Sequence, residues 1–440
     1  MTIAILGGGI SGLTLAWYLQ RAGADYDLYE AATRPGGTVR TERHGDYLLE
    51  TGPNSLLLSP ELDQLLQGLN LTSQMQDAAA VSQNRYVLKN GSYQKLPGTP
   101  PALLTGKFFG LKTKFNLLRE LTRPAAPAGT PETLAAFFRR RFGSEVTDYA
   151  LNPFIAGIYA GDPEQLLVQH TFPQLAAMEQ QHGSVLRGLM KSKGGAGRRR
   201  TFTLHGGLQT LTDTLARQLR RAHFSHGITG LHRRTDDGRW ALETTGGPGF
   251  RLYDHVVLAL PTYTAADLLR PQFSAAAEAL EQVHYPPMTA IYSAYDRVAV
   301  QHPLDGFGAL HPRVEQPYAA GSIWTSSIFP DRAPAGQVLF TTFVGGSQYE
   351  EQARQPAETQ KAAVHAELSR FYGIQAAPVW QYRYYWERAI PQFDHRIGPA
   401  RAAVAALAEH GLHATANWQA GVGVPDCIRH AQQLAQQLMR

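Results

Sequence analysis

Three glycines near the amino terminus, Gly7, Gly9 and Gly12, stand at G-x-G-x-x-G spacing. An apolar run, Thr2 to Leu6, precedes them, and a helix-period stretch carrying Leu13, Ala16, Trp17 and Leu19 follows up to Gly23. At a strand-to-helix turn, residues without Cβ let the chain turn tightly and let backbone approach a pyrophosphate, whose charge the helix N-terminus then holds. Gly8, Ile10 and Ser11 complete the turn and are expected to join it in binding. A second strand, Tyr26 to Tyr29, ends at Glu30, eighteen residues beyond Gly12, where a carboxylate can accept the hydroxyls of a ribose. Strand, glycine turn, helix, strand and acid in this order predict a dinucleotide site; an ordinary glycine turn is the alternative.

The next glycine pair bears on which dinucleotide. Arg34, Gly36 and Gly37 follow Glu30 in the string RPGGTVRT, where a nicotinamide dehydrogenase normally opens another helix. The string resembles the FAD-binding extension of the amine oxidase superfamily. That resemblance implies FAD, with Ala31, Arg34, Gly37 and Thr38 among its contacts. Near the carboxyl terminus, Gly421, Gly423 and Pro425 bring a helix N-terminus and free amides together, which favours the negative charge of a reduced flavin and raises its potential. Simple capping of a surface helix is the structural alternative. The lone cysteine, Cys427, falls inside that helix pattern, so the flavin is expected to be held non-covalently. Trp418, Val422 and Val424 beside this turn, and Ile228 in an earlier strand, are further expected cofactor contacts.

Seven segments narrow the resemblance: ETGPNS (50–55), NPFIAGIYAGDP (152–163), YPPM (285–288), GFGALHPR (306–313), SSIFPDRAP (326–334), AIPQF (389–393) and AGVGVPDCI (420–428). In this order they resemble the oxygen-dependent, FAD-containing protoporphyrinogen oxidase family across essentially the whole chain. The resemblance implies oxidation of protoporphyrinogen IX to protoporphyrin IX in haem biosynthesis, in three two-electron cycles, with dioxygen as acceptor and hydrogen peroxide as product. Such a substrate is already electron-rich, so the protein mainly positions it. Arg85 is expected to hold a propionate, because a guanidinium stays charged and grips a carboxylate bidentately. Leu310, Ile323 and Phe343 are expected to line the macrocycle cleft, with Ala160 and Gly161 presenting backbone to it. Gly52, Pro53, Asn54 and Ser55 are expected against the flavin, with Asn54 orienting the substrate rather than abstracting a proton. By pattern alone these positions are surface, core or turn residues, and Asn54 reads as an Asx turn.

The elements that must position these residues read as a mixed α/β fold. Residues 1–62, 200–262 and 400–440 are expected to form a discontinuous Rossmann-like FAD-binding domain, and 263–399, with 63–83, a substrate-binding domain on a mixed sheet. Residues 84–199 read as a helical insert that docks on a membrane, with Leu103, Leu104, Phe108, Phe109, Leu111 and Phe115 among Lys107, Lys112 and Lys114 as its contact stretch. Within it, Asn90-Gly91 marks a hairpin, Pro131 opens a helix, and 193–200 is an exposed loop. Val256 to Leu260 has the doubly apolar character of a buried parallel strand, 287–346 alternate as a largely antiparallel sheet, and the aromatics of Val379 to Trp386 read as core.

Composition sets the outer limits. The chain of 440 residues, 43% apolar and 18% charged, exceeds one core and excludes a disordered or fibrous protein. One cysteine excludes a disulfide scaffold and points to a reducing cytosol. The 41 basic and 36 acidic residues give +5, with Arg139–Arg141 and Arg198–Arg200 read as solvated faces, so nucleic acid is not an expected partner. No stretch approaches the ~20 apolar residues of a membrane span, and the sixteen histidines form no metal-ligand cluster. The expected location is cytoplasmic, peripheral on the inner face of the cell membrane. A homodimer, and a ferrochelatase or other haem-pathway enzyme receiving the product, stay open as partners. Coproporphyrinogen III is the alternative substrate; a flavin oxidase of amines or carotenoid precursors, or a porphyrin carrier without turnover, are the other readings.

Overall fold

The strand Thr2–Leu6 lies at the centre of a five-stranded sheet of order Ala222–His223, Asp25–Tyr29, Thr2–Leu6, His255–Leu258, Leu412–Ala414, with every neighbouring pair parallel. A parallel sheet must be covered on both faces, and both are covered here. Leu13, Leu211 and Ile428, from the helices Ile10–Arg21, Gln209–Gln218 and Val424–Leu438, share one core with Ile3 and Ile5. Ala265, Ala277 and Ala400, from Thr262–Leu269, Ser274–Glu281 and Ile397–Ala405, share the other with Ala4 and Leu6. The two ends of the chain therefore meet in one layered unit. The structure, a computed structural model, describes all residues except 99, 128, 192–199 and 246; the side chains of 100, 101, 104 and 247–250 also fall outside the description. The expected loop 193–200, apart from Arg200, lies outside the described residues, as does the side chain of the expected contact Leu104.

A second, seven-stranded sheet runs Trp380–Trp386, Met288–Asp296, Gln337–Gly345, Gly321–Trp324, Gly308–Leu310, Tyr86–Lys89, Ser92–Lys95. Its pairs are antiparallel except Tyr86–Lys89 beside Gly308–Leu310. Asn90 and Gly91 both take positive φ, 54° and 74°, as a tight two-residue hairpin requires. Three expected boundaries shift. The hairpin joins the substrate-side sheet, so the helical insert starts after Lys95 rather than at 84. Residues 63–71 belong with the parallel sheet, because Leu65, Leu66, Leu69 and Leu71 bury in its core. The segment from 263 to 283 packs there too, through Ala265, Leu269 and Leu280.

The helical module comprises Leu111–Glu120, Leu134–Phe142, Asn152–Tyr159, Pro173–His182 and Val185–Lys191 as its longer helices. Pro131 does not open a helix: Leu134 does, with the Thr133 side chain capping the Ala136 N–H. Phe108 and Phe109, expected at a membrane, are buried against Val87 and caged around Lys89, whose ammonium pairs with Glu145 at 2.7 Å. The exposed apolar residues sit further on, Leu111, Phe115 and Leu118 at 83%, 59% and 56% exposure. Among the described residues no helix is long and apolar enough to cross a membrane. The aromatic strand Trp380–Trp386 is an edge strand, partly buried throughout, and Trp380, Tyr382 and Tyr384 pack against the core of Leu49, Ala290 and Tyr292 as expected.

The arginine triplet is not a solvated face. Arg141 is fully buried, its Nε 2.9 Å from Glu179 and 3.4 Å from Glu120, while its amino groups donate to the carbonyls of Arg123 and Gly183. Arg140 bridges Glu132 and Glu179, and only Arg139 makes an exposed pair, with Glu164. Removing one partner of a buried ion network leaves charge without compensation. Arg141→Ala is therefore expected to lower stability by about 3–5 kcal/mol, and Arg139→Ala by less than about 1 kcal/mol. Urea unfolding of the two variants checks this, and equal losses would contradict the buried network.

Candidate cofactor and substrate site

The glycine turn is built to Cβ-free dimensions. A Cβ on Gly12 would lie 2.0 Å from the Gly7 carbonyl oxygen, and one on Gly7 (φ +111°) 2.5 Å from the Ala259 oxygen. Gly9 differs, since a Cβ there meets nothing within 4 Å. Helix Ile10–Arg21 starts with no side-chain cap and no acid in its first turn, so its leading amides are left to an anion. The RPGG loop lies directly on this turn: the Gly36 N–H donates to the Gly8 carbonyl at 2.8 Å, and a Cβ on Gly37 would sit 3.3 Å from the Gly9 Cα. Buried nearby in sequence, Arg34 Nη1 has no hydrogen-bond partner. An uncapped helix, open space over Gly9 and an unsatisfied guanidinium nitrogen fit a diphosphate. Glu30, whose carboxylate accepts from the Gly8 N–H at 2.6 Å and the Ala32 N–H at 2.7 Å, closes the second strand beside them.

The remaining expected cofactor residues converge on this turn from three directions. Gly227, before Ile228, packs on Ala31, and the Ser225 N–H donates to the Ala32 carbonyl. Gly52 abuts the exposed Thr38, where a Cβ would fall 1.9 Å from the Thr38 oxygen; Pro53, Asn54 and Ser55 follow half-buried. Asn54 Nδ2 donates to the Gly52 carbonyl at 3.3 Å, a local bond but not the Asx turn of the sequence reading, in which the side-chain oxygen would accept a backbone N–H. From the carboxyl end, helix Val424–Leu438 begins uncapped after Gly421, Val422 and Gly423, all half-buried. Its Cys427 thiol meets Ser11 on the first helix, and burial pushes that thiol up to about 11. Trp418 departs from expectation: its indole is fully buried and its N–H is bonded to the Leu260 carbonyl at 2.9 Å, so the side chain pins the loop and does not face a ligand.

Across from this cradle stands one face of the seven-stranded sheet. Directly opposed residues of neighbouring strands share a face, and the register puts Leu310, Gly321, Phe343, Ala290 and Tyr384 in one row, with Gly308, Ile323, Thr341, Tyr292 and Tyr382 in the next. Leu310, Ile323 and Phe343 are half-exposed there. The same face holds the GPNS loop: the Tyr292 hydroxyl donates to the Glu50 carbonyl at 2.6 Å, and the Trp386 indole N–H to the Thr51 carbonyl at 2.9 Å. Sequence reading missed both residues, although alternation of Trp380, Tyr382, Tyr384 and Trp386 at period two was the available signal. Continuing the parallel register of Tyr86 with Ala309 sets Arg85 beside Gly308, on this face. Its guanidinium stacks 4.6 Å over Phe307, has no carboxylate partner among the described residues, and surrounding protein lowers its pKa. Ala160 and Gly161 do not present free carbonyls: the Ala160 oxygen accepts from the Ser347 N–H, and that of Gly161 from Gln348 Nε2. Ala160 instead makes a left-handed corner (φ 50°) at the end of its helix, held against Gly346 and Ser347, just past the strand Gln337–Gly345.

Glu50, just before the GPNS loop, is a third residue that sequence reading left without a role. Burial pushes its carboxyl up to about 7, against Arg332 at 3.7 Å, the Thr41 hydroxyl and the Leu208 N–H. A carboxyl with a folded pKa above its unfolded value takes up a proton on folding. Stability should therefore fall as pH rises from about 4.3, the unfolded value, towards about 7. Thermal midpoints across that range should show this slope, and Glu50→Gln should flatten it; an unchanged slope would assign the effect elsewhere. A second prediction separates the glycines. Gly9→Val is expected to fold, because its side chain enters open space, yet to lose the cofactor; Gly12→Val is expected not to fold. Circular dichroism and visible absorption distinguish the two, and a coloured Gly9→Val protein would contradict the cradle.

Comparison with known proteins agrees with this architecture. The family model described as flavin containing amine oxidoreductase matches residues 10–439. The chloroplastic protoporphyrinogen oxidase of Oryza sativa subsp. japonica is 33% identical, over 99% of this chain and 87% of the relative. The coproporphyrinogen III oxidase of Bacillus subtilis (strain 168) is 29% identical, over 97% of this chain and 95% of the relative. A crystal structure from Exiguobacterium sp. 255-15, provisionally named a protoporphyrinogen oxidase, superposes with a TM-score of 0.81 at 24% identity, over 100% of this chain and 98% of the other, and shows the shared fold. A flavin is the cofactor that this family implies. The chain is an oxidoreductase that belongs to the flavin containing amine oxidoreductase family, in the group that holds the protoporphyrinogen oxidases.

Proposed function

We propose that this chain oxidises protoporphyrinogen IX to protoporphyrin IX, holding FAD non-covalently and using dioxygen, with hydrogen peroxide as product. The observation that carries the reading is the unpaired guanidinium of Arg85 on an apolar sheet face with Leu310, Ile323 and Phe343, opposite the GPNS loop. A flat, greasy molecule with a carboxylate at its edge matches that face: the apolar side chains take the macrocycle and the arginine takes a propionate. An arginine stacked on an aromatic ring is already oriented, so little freedom is lost on binding an anion.

The residues that would hold FAD are the Gly7–Gly12 turn and Arg34 for the diphosphate, Glu30 for the ribose, and the amides of 421–424 with Gly52–Ser55 for the ring system. When bound, the flavin supplies the two-electron acceptor that each dehydrogenation needs. Asn54, anchored through its own amide to Gly52, keeps its side-chain oxygen for orienting the substrate. Burial of Cys427, which keeps its thiol protonated, supports non-covalent attachment. A peripheral place at the inner face of the cell membrane belongs to the same reading, supported by Leu111, Phe115 and Leu118 on one helical stripe beside Lys112 and Lys114.

Coproporphyrinogen III is the second reading, and one observation favours it. Arg388, after the edge strand, stacks 4.4 Å over Tyr263 with no carboxylate partner among the described residues, a second free cation for a substrate with more propionates. Side-by-side rates on the two porphyrinogens, read as porphyrin fluorescence, decide the substrate. The expected result is faster turnover of protoporphyrinogen IX; faster turnover of coproporphyrinogen III would reverse the choice, and flavin-loaded protein inert towards both would end the oxidase reading. Arg85→Ala is expected to raise KM about tenfold, the lower bound for a charge-assisted bond, with flavin content unchanged. Loss of flavin in that variant would contradict the assignment of Arg85 to the substrate side.

A further inference from the structure

Asp426 stands on the first turn of the carboxyl-terminal helix, over the glycine loop that precedes it. Its Oδ2 would lie 3.1 Å from a Cβ on Gly421 and 2.9 Å from one on Gly423, so the carboxylate is packed directly against this loop. Its Oδ1 accepts from Arg429 Nη2 at 2.6 Å, and Arg429 Nε is 3.4 Å from Glu61. No hydrogen bond engages Oδ2 among those described. The charge of Asp426 is felt across the loop: Tyr159, at the end of helix Asn152–Tyr159, is pushed up to about 12 by burial first and by Asp426 second.

We propose that Asp426 and Arg429 set the reduction potential of the bound flavin, the carboxylate lowering it and the guanidinium moderating that effect. The inference rests on the reading that the amides of 421–424 receive the pyrimidine end of the ring. Two-electron reduction leaves negative charge at that end, and charge near it tunes the cofactor's electronics. The helix N-terminus favours that charge. Asp426, in the same turn, opposes it by Coulomb repulsion, and Arg429 on the other carboxylate oxygen offsets part of the repulsion. The glycine turn therefore does not simply raise the potential: this chain places a counterweight inside the turn, with its own trim one helical turn further on.

The test is the midpoint potential of flavin-loaded protein, read by anaerobic equilibration with a reference dye. Asp426→Asn is expected to shift the equilibrium towards reduced flavin about tenfold, roughly +30 mV for a two-electron couple. Arg429→Gln is expected to shift it the opposite way. Opposite shifts support the proposal, because loosened packing alone would not move two adjacent substitutions in opposite directions. Unmoved potentials, or shifts of one sign, overturn it. Should Asp426→Asn fail to fold, Arg429→Gln alone decides, a downward shift supporting the proposal and an unmoved one ending it. Wild-type protein that takes up no flavin would overturn the functional reading instead, whereas flavin-replete variants with unchanged potentials overturn this inference alone.

Discussion

The close approach of the first helix to the turn before it, with Gly12 against the Gly7 carbonyl and Gly7 against Ala259, is the constraint on which the site depends. Any side chain at Gly12 would force the helix away from the strand end, and with it the uncapped amides that face the crevice. The RPGG loop could not then dock on Gly8, because the Gly36 amide bonds to that carbonyl. The carboxyl-terminal helix would lose its seat too, since Cys427 and Ile428 pack on the first helix. One backbone contact thus fixes three approaches to the same place, which explains why residues so far apart in sequence form one cradle.

The second requirement is that the cradle and the apolar sheet face stay in register. Tyr292 and Trp386 achieve this by donating to consecutive carbonyls, those of Glu50 and Thr51, just ahead of the GPNS loop. Lys89 does the same for the helical module, tying the hairpin strand to Glu145 inside an aromatic cage. Polar groups with defined partners set the distances, while the surfaces they position are apolar. A substrate bound on that face would meet tyrosine hydroxyls but, in its two rows of opposed residues, no carboxylate or imidazole, consistent with a reaction in which placement matters more than acid–base work.

Much of the fold was legible because its signals are local. The Gly7–Gly12 turn, the doubly apolar strand near Val256 and the Asn90-Gly91 hairpin each follow from a backbone need that only certain residues meet. What the sequence concealed is tertiary. A run of three arginines has the same pattern whether it is solvated or, like Arg141, buried against two glutamates; only packing of distant Glu120 and Glu179 decides. Phe108 and Phe109 looked ready for a membrane because their partners, Val87 and Lys89, lie on a hairpin that the pattern assigned to the helical insert. Domain limits moved for the same reason, since Leu65 and Ala265 carry no mark of which sheet they cover. At the site, the glycine motifs were readable, whereas Tyr292, Trp386 and Glu50 act through partners far along the chain.

The central claim is that a flavin in the cradle lies within electron-transfer contact of a porphyrinogen on the sheet face. Anaerobic mixing of the purified, flavin-loaded protein with protoporphyrinogen IX, followed in the flavin's visible absorption, tests it directly. The account predicts that the band bleaches and returns when air is admitted. A band that stays unbleached with substrate present, or a protein that remains colourless after incubation with FAD, would contradict it.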